Sequence, residues 1–168
     1  MASAPPEPLT LDEVKAYLRV LDDVEDEKIE AMIPRARLWV EEHTGIALVQ
    51  REFVELVTPR SGVVRLSREP LISVTSCDYT DSGGVAQVFV PVATPPSTKL
   101  TGSWPSTSDC TPFAVKYLAG QAADEIDERL IGGMLTLIEG EYTAGFAYTP
   151  DTITAVVNAV FYLKFVAP

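Results

Sequence analysis

Histidine and cysteine are nearly absent from this chain: its 168 residues hold one His and two Cys. Cys77 and Cys110 form no CxxC pair and have no histidine at a ligand spacing, so a zinc site is excluded. A disulfide between them is not expected. The lone His43 has no serine or cysteine partner in a defined motif, so no catalytic triad assembles around it. At the end of a helical pattern it reads as a cap or a surface residue. Basic residues are scarce as well, 13 against 24 acidic ones, for a net charge of −11. Proteins that grip nucleic acid through its phosphates need clustered Lys and Arg, so tight DNA binding by the isolated chain is not expected. Phosphate loops are missing too, because Ser61-Gly62 and Gly83-Gly84 lack the lysine and the long glycine spacing and read as turns. The acids Asp22, Asp23, Glu25, Asp26 and Glu27 do not follow the spacing of a calcium loop. No catalytic constellation, metal or cofactor is expected, and the chain does not read as an enzyme. Its start, MASAPPEPLT, has neither a basic nor an apolar stretch of the secretory kind, so synthesis and assembly in a reducing cytoplasm are expected.

What is present is enough apolar material for a core, 46 % of the chain, in a length that suits one domain. The charge is unevenly spread. Residues 1–58 carry 13 acidic and 6 basic side chains, residues 59–120 carry 4 and 5, and residues 121–168 carry 7 and 2. The middle third is chemically distinct, which hints at a separate layer. Its only local positive cluster is Arg60, Arg65 and Arg68. These can touch phosphate or pair with acids of a neighbour, and the acidic context favours the second.

Residues 1–8 read as a loose arm. Thr10-Leu11-Asp12-Glu13 has the S/T-x-x-E form of a capping box and opens a short helix ending near Arg19. The acids at 22–27 precede a longer helical pattern through Ile29, Ile33, Ala36 and Val40, where they favour the positive end of the helix dipole. Pro34 bends that helix, and Thr44-Gly45 stops it. From Leu48 the period changes to two, with strands over Val49–Val57, Val63–Leu66, Ile72–Tyr79, Val85–Val90 and Phe113–Leu118. Asp81-Ser82-Gly83-Gly84 makes a hairpin turn. Residues 91–112, rich in Pro, Ser and Thr, read as one long loop. The helical period returns at Asp124 through Ile126, Leu130, Met134 and Ile138, interrupted by Gly132-Gly133. Thr149-Pro150 opens a last helix.

That last pattern, TITAVVNAVFYLKFV over residues 152–166, is apolar on nearly every face. Such a helix must be buried all round. It can be central in the core, dock on another subunit or partner, or form a membrane tail. The last reading is weakest, since a span needs about 20 apolar residues and this run carries Lys164. The expected fold class is α+β: a mostly helical core of two N-terminal and two C-terminal helices, with a small antiparallel β region inserted between them. The expected layout is an arm over 1–8 and a single domain over 9–168. Within it, 9–47 and 121–168 are helical and 48–120 are the β region and loop.

Three stretches, LTLDEVKAYLRV, DDVEDEKIEAMI and ARLWVEEHTGIAL, run in the order of a short capped helix, an acidic link and a long helix ending in Thr-Gly. They resemble the start of the tailed-bacteriophage head–tail connector (adaptor) family. LSREPLISVTSCDYTDSGG, the loop around Ser103-Trp104-Pro105-Ser106, and FAVKYLAG extend the likeness over most of the chain. The chain departs from the family in ending at Val166-Ala167-Pro168, without the longer polar tail of some members.

The resemblance implies a ring subunit, of 12 copies, beneath the portal protein in the neck of a virion. Such a ring extends the DNA channel and offers a surface to the stopper or tail-completion protein, while the genome passes without tight binding and no membrane is involved. It implies portal docking through Ile153, Val156, Val157, Val160, Phe161 and Phe165. It also implies contacts between subunits or rings through Arg60, Arg65, Arg68 and Trp104. Two rival readings stand beside it: a tail-completion or tail-terminator protein, which binds the tail tube and not the portal, and a small hydrolase, which needs a clustered nucleophile and base.

Overall fold

The Thr10 side chain and the Glu13 carboxylate satisfy each other's backbone donors in a complete capping box, with Thr10 N–H donating to Glu13 Oε2 at 2.8 Å. Free N–H groups at a helix start need such partners, and helix α1 (Leu11–Leu18) begins there. The computed structural model describes residues 6–59, 62–107 and 111–144. Helix α2 (Asp26–Thr44) runs through Pro34 and stops at Gly45, whose φ of 78° is left-handed, a conformation glycine adopts without steric cost. Helix α3 (Glu128–Ala144) follows a single 3-10 turn at Ala123–Glu125.

Between α2 and α3, among the described residues, lie seven strands: β1 (Arg51–Val57), β2 (Val63–Arg65), β3 (Leu71–Thr80), β4 (Ala86–Phe89), β5 (Val92–Ala93), β6 (Lys99–Thr101) and β7 (Phe113–Ala119). They form two antiparallel sheets, of order β1-β7-β3-β4 and β2-β6-β5. The chain divides into a helical unit, residues 1–48 and 122–168, and a β unit, residues 49–121.

This overturns the expected architecture. Among the described residues there are three α-helices against seven strands, and the strands are not a small insert in a mostly helical core. The β unit has its own core of Val57, Val64, Leu66, Leu71, Cys77, Leu100, Phe113, Val115, Tyr117 and Ala119. Part of the difference lies in residues 91–112, expected as loop. They hold β5 and β6, two and three residues long, too short among Pro, Ser and Thr to show a period. The second C-terminal helix expected from residue 150 onward lies outside the described residues.

The helical unit buries Val14 of α1, Ile29, Met32, Ile33, Ala36 and Val40 of α2, and Leu130, Met134, Leu137 and Ile138 of α3 in one cluster. Polar links lace its surface. Lys15 of α1 bridges Asp23 at 2.7 Å and Asp26 at 2.6 Å. Arg35 of α2 meets Glu141 of α3 at 2.7 Å. The Tyr142 hydroxyl donates to Glu25, and Lys28 lies 4.7 Å from the centre of the Tyr142 ring. The acids at 22–27 therefore join helices as well as favouring the start of α2.

Among the described residues the deepest charge is Glu41, at 1 % exposure. It accepts from Arg37 Nη1 at 3.1 Å and from the Leu48 backbone N–H at 3.0 Å, while Arg37 Nε also reaches Glu7 at 2.7 Å. Removing one partner of a buried pair strands the other charge. Arg37→Met is expected to lower unfolding free energy by roughly 3–5 kcal/mol. Adding Glu41→Gln, which removes the stranded charge but keeps an acceptor for Leu48, should recover part of that loss in urea denaturation.

In the β unit, Gly120 has a φ of 134° and its N–H donates to Pro70 O at 3.1 Å. A Cβ there would strike the Val49 carbonyl and lie 2.6 Å from Gln50 Cα. Gly120→Ala should therefore cost roughly 1–3 kcal/mol in backbone strain alone, measured as a lowered urea midpoint.

Candidate functional site

Alternation along β7 divides the four-stranded sheet into two faces. Phe113, Val115, Tyr117 and Ala119 point into the core, and Ala114, Lys116 and Leu118 point away. The register carries this division across the sheet. Leu56, Ala114, Asp78 and Val88 form one outward row, and Val54, Lys116 and Ser76 form the next. Lys116 Nζ and Asp78 Oδ2 lie 2.9 Å apart in the middle of this face. The lysine's hydrogen bond holds the Asp78 carboxyl below the usual carboxylate range. Toward the sides Val54 and Leu56 of β1 and Val88 of β4 are well exposed, with Glu52 exposed near the start of β1.

On the inward face, Glu55 accepts from the Tyr117 hydroxyl at 3.0 Å, the Ser67 N–H at 3.0 Å and the Ser67 hydroxyl at 2.9 Å. Burial, and then the Glu55 charge, raise the Tyr117 hydroxyl well above its ordinary range. Burial pushes the Cys77 thiol up to about 11, with Asp78 adding to the shift, so this sulfur is an unreactive core group. His43 Nδ1 donates to the Trp39 carbonyl, 2.8 Å away, and its ring stacks on Trp39, as a residue closing a helix end does.

The residues singled out for subunit contacts have different surroundings. Trp104 is half-buried. Its Nε1 donates to the Gly62 carbonyl at 3.1 Å, and its ring meets Phe113 and Phe89 edge-on at 5.0 and 5.2 Å. It anchors the 102–107 loop to its own subunit, beside an open recess of about 630 Å³ that Pro59, Gly102 and Pro105 also line. Arg65 is exposed at the end of β2 and stands opposite Lys99 of β6. Arg68 is half-buried in the segment that leads to β3. Arg60 and the docking residues Ile153, Val156, Val157, Val160, Phe161 and Phe165 lie outside the described residues. Sequence reading missed Lys99 and the outward row on β1 and β4. The signal for Lys99 was its register with Arg65, which the short strands concealed.

The charge divides with the fold. The helical unit holds 18 acidic and 7 basic residues, and the β unit holds 6 of each. The surfaces available are thus a strongly acidic helical body and a neutral β unit with an apolar, partly basic exterior. That is a pattern suited to contact between proteins.

Residues 8–76 match the family of phage gp6-like head-tail connector proteins. The resemblance to the tailed-phage connector family holds. The connector match spans α1, α2 and the β unit as far as Ser76 in β3. No curated protein matches the chain. Solved structures share its fold. A chain from the neck of an empty GTA particle computed with C6 symmetry is similar with a TM-score of 0.73 and 19 % identity, over 95 % of this chain and 92 % of that one. A chain from the virion of a native gene transfer agent particle gives 0.69 and 22 %, over 94 % and 91 %. A chain from the neck of a native GTA particle computed with C12 symmetry gives 0.64 and 18 %, over 95 % and 94 %.

Arg65 and Lys99 place like charges directly across a strand pair, which destabilises an isolated sheet. Lys99→Glu turns the pair into an attractive one. The isolated subunit should gain roughly 0.2–1 kcal/mol, seen as a raised urea midpoint with an unchanged circular dichroism spectrum.

Proposed function

We propose that the chain is a head–tail connector (adaptor) subunit in the neck of a tailed phage or phage-like particle. It forms a ring below the portal, extends the DNA channel and offers the surface to which the stopper or tail attaches. Its role is structural and not enzymatic. The observation that carries this reading is the likeness, over more than nine-tenths of both chains, to chains of gene transfer agent necks and virions. The connector-family match over residues 8–76 supports it independently. Necks computed with C6 and C12 symmetry favour a ring of repeated copies, here taken as twelve.

The charge fits a passive channel. An excess of 11 acidic residues in the helical unit repels the phosphate backbone, so duplex DNA passes without being held. The apolar run at 152–166 is the portal-docking element in this reading, with Phe161 and Phe165 among its anchors. The basic pair on the β unit, Arg65 and Lys99, serves contact with acidic neighbours.

The test is a pull-down of the full chain against a purified portal ring and, separately, against tail tubes. Binding to the portal alone is expected. Binding to the tube alone would replace this reading with that of a tail terminator. In the same preparation, duplex DNA should not bind at about 150 mM salt, and a complex tighter than the non-specific range of roughly 1–100 µM would overturn the passive-channel role.

A further inference from the structure

The outward face of the four-stranded sheet has its apolar and polar residues in an unexpected arrangement. The middle strands β7 and β3 carry the ion pair Lys116–Asp78 together with Ser76. The outer strands β1 and β4 carry Val54, Leu56 and Val88, exposed at 62, 68 and 65 %. Free sheet edges normally carry charge, above all lysine, or are otherwise blunted, because their unpaired N–H and C=O groups recruit other strands. Here β1 pairs only with β7 and β4 only with β3 among the described strands. From Ser82 to Thr98, around β4, there is no charged residue at all. On β1, Glu55 points inward and is held by Tyr117 and Ser67, while Arg51 and the exposed Glu52 stand at the start of the strand, ahead of Val54 and Leu56. Among the described residues neither edge has a strand partner, and the outward stretches that hold Val54, Leu56 and Val88 are apolar.

The two edges also match in sense. In the order β1-β7-β3-β4 every neighbouring pair is antiparallel, so β1 and β4 run in opposite directions. A second copy placed with its β1 beside β4 continues the same alternation. We propose that β4 of one copy pairs with β1 of the next, so that the β units of successive copies join edge to edge. This rests on the neck-ring reading and names the surface that makes the ring. A contact between two different patches repeats from copy to copy and gives a ring when the rotation between copies closes, whereas pairing of like edges stops at a dimer. The pairing satisfies both open edges and sets the exposed valines and Leu56 of adjoining strands side by side.

The test uses particles assembled with the full chain carrying L56C and V88C together, with Cys110→Ser in the background. The thiols are linked by a bismaleimide of about 8 Å, the span of diagonal neighbours on paired strands. A ladder of linked copies on a denaturing gel is expected from the double variant, and none from L56C or V88C alone. A double variant present in the neck but not linked would overturn edge pairing and leave the neck reading standing. Linked dimers from V88C alone would overturn it in favour of like-edge pairing. Particles whose necks lack even the unaltered chain would overturn the neck reading itself, and this inference with it.

Discussion

Glu41 sits almost fully out of water and is still held as part of an ion pair, because three parts of the chain converge on it. Arg37 lies one turn earlier on the same helix and joins it to Glu7 in the N-terminal segment, and the Leu48 N–H donates to it as the chain leaves the helical unit. A buried carboxylate is tolerated only when its charge and its lone pairs are both answered. The topology makes this junction important. The helical core needs α3, but α3 begins only after the whole β unit, 73 residues over 49–121, has been traversed. The departure of the chain after Gly45 must therefore be fixed locally. Thr44 contributes by donating to the Val40 carbonyl and accepting from the Ile46 N–H, so the turn out of α2 is held by contacts within a few residues.

The helical unit was largely legible in the sequence because its signals are local. The Thr10–Glu13 box, the Thr44-Gly45 stop and the apolar repeat through Leu130, Met134 and Ile138 each lie within a few residues, and each appears in the fold where the pattern put it. The β unit was less legible for the opposite reason. β6 has three residues, and its place between β2 and β5 is set by long-range pairing and by the core around Leu100. β3 departs from strict alternation at two register shifts, between Leu71 and Ser73 and between Val74 and Ser76, which blurs its period of two. The hairpin turn at Asp81 was readable because one side chain organises it. Its carboxylate accepts from the Gly83 and Val85 N–H groups, and an aspartate before Ser-Gly-Gly is a local signal.

The residues proposed from sequence for contacts between subunits illustrate the same limit. An arginine cluster reads as a unit along the chain, but strand pairing decides its true neighbours. Arg65 acquires Lys99, 34 positions away in sequence, while Arg68 lies in a different segment. Trp104, expected in contacts between subunits or rings, also makes edge-on contacts with Phe89 and Phe113 inside its own unit. A tryptophan whose N–H is satisfied by the Gly62 carbonyl ties two loops together and so shapes the exterior of the β unit.

The separation of charge between the units gives a physical reason for their division of labour. Net charge keeps a subunit soluble, and at −11 it also opposes the approach of identical copies. A neutral β unit is where that opposition is least, and it is also where the sheet exposes Val54 and Leu56 on β1 and Val88 on an uncharged β4. The like-charged pair of Arg65 and Lys99 on the smaller sheet costs stability in the single subunit, a cost that an acidic group of a neighbour would offset. In the proposed edge-to-edge arrangement the neutral β units meet, so the repulsion that a net charge of −11 imposes on identical copies would be least where the exposed Val54, Leu56 and Val88 are covered.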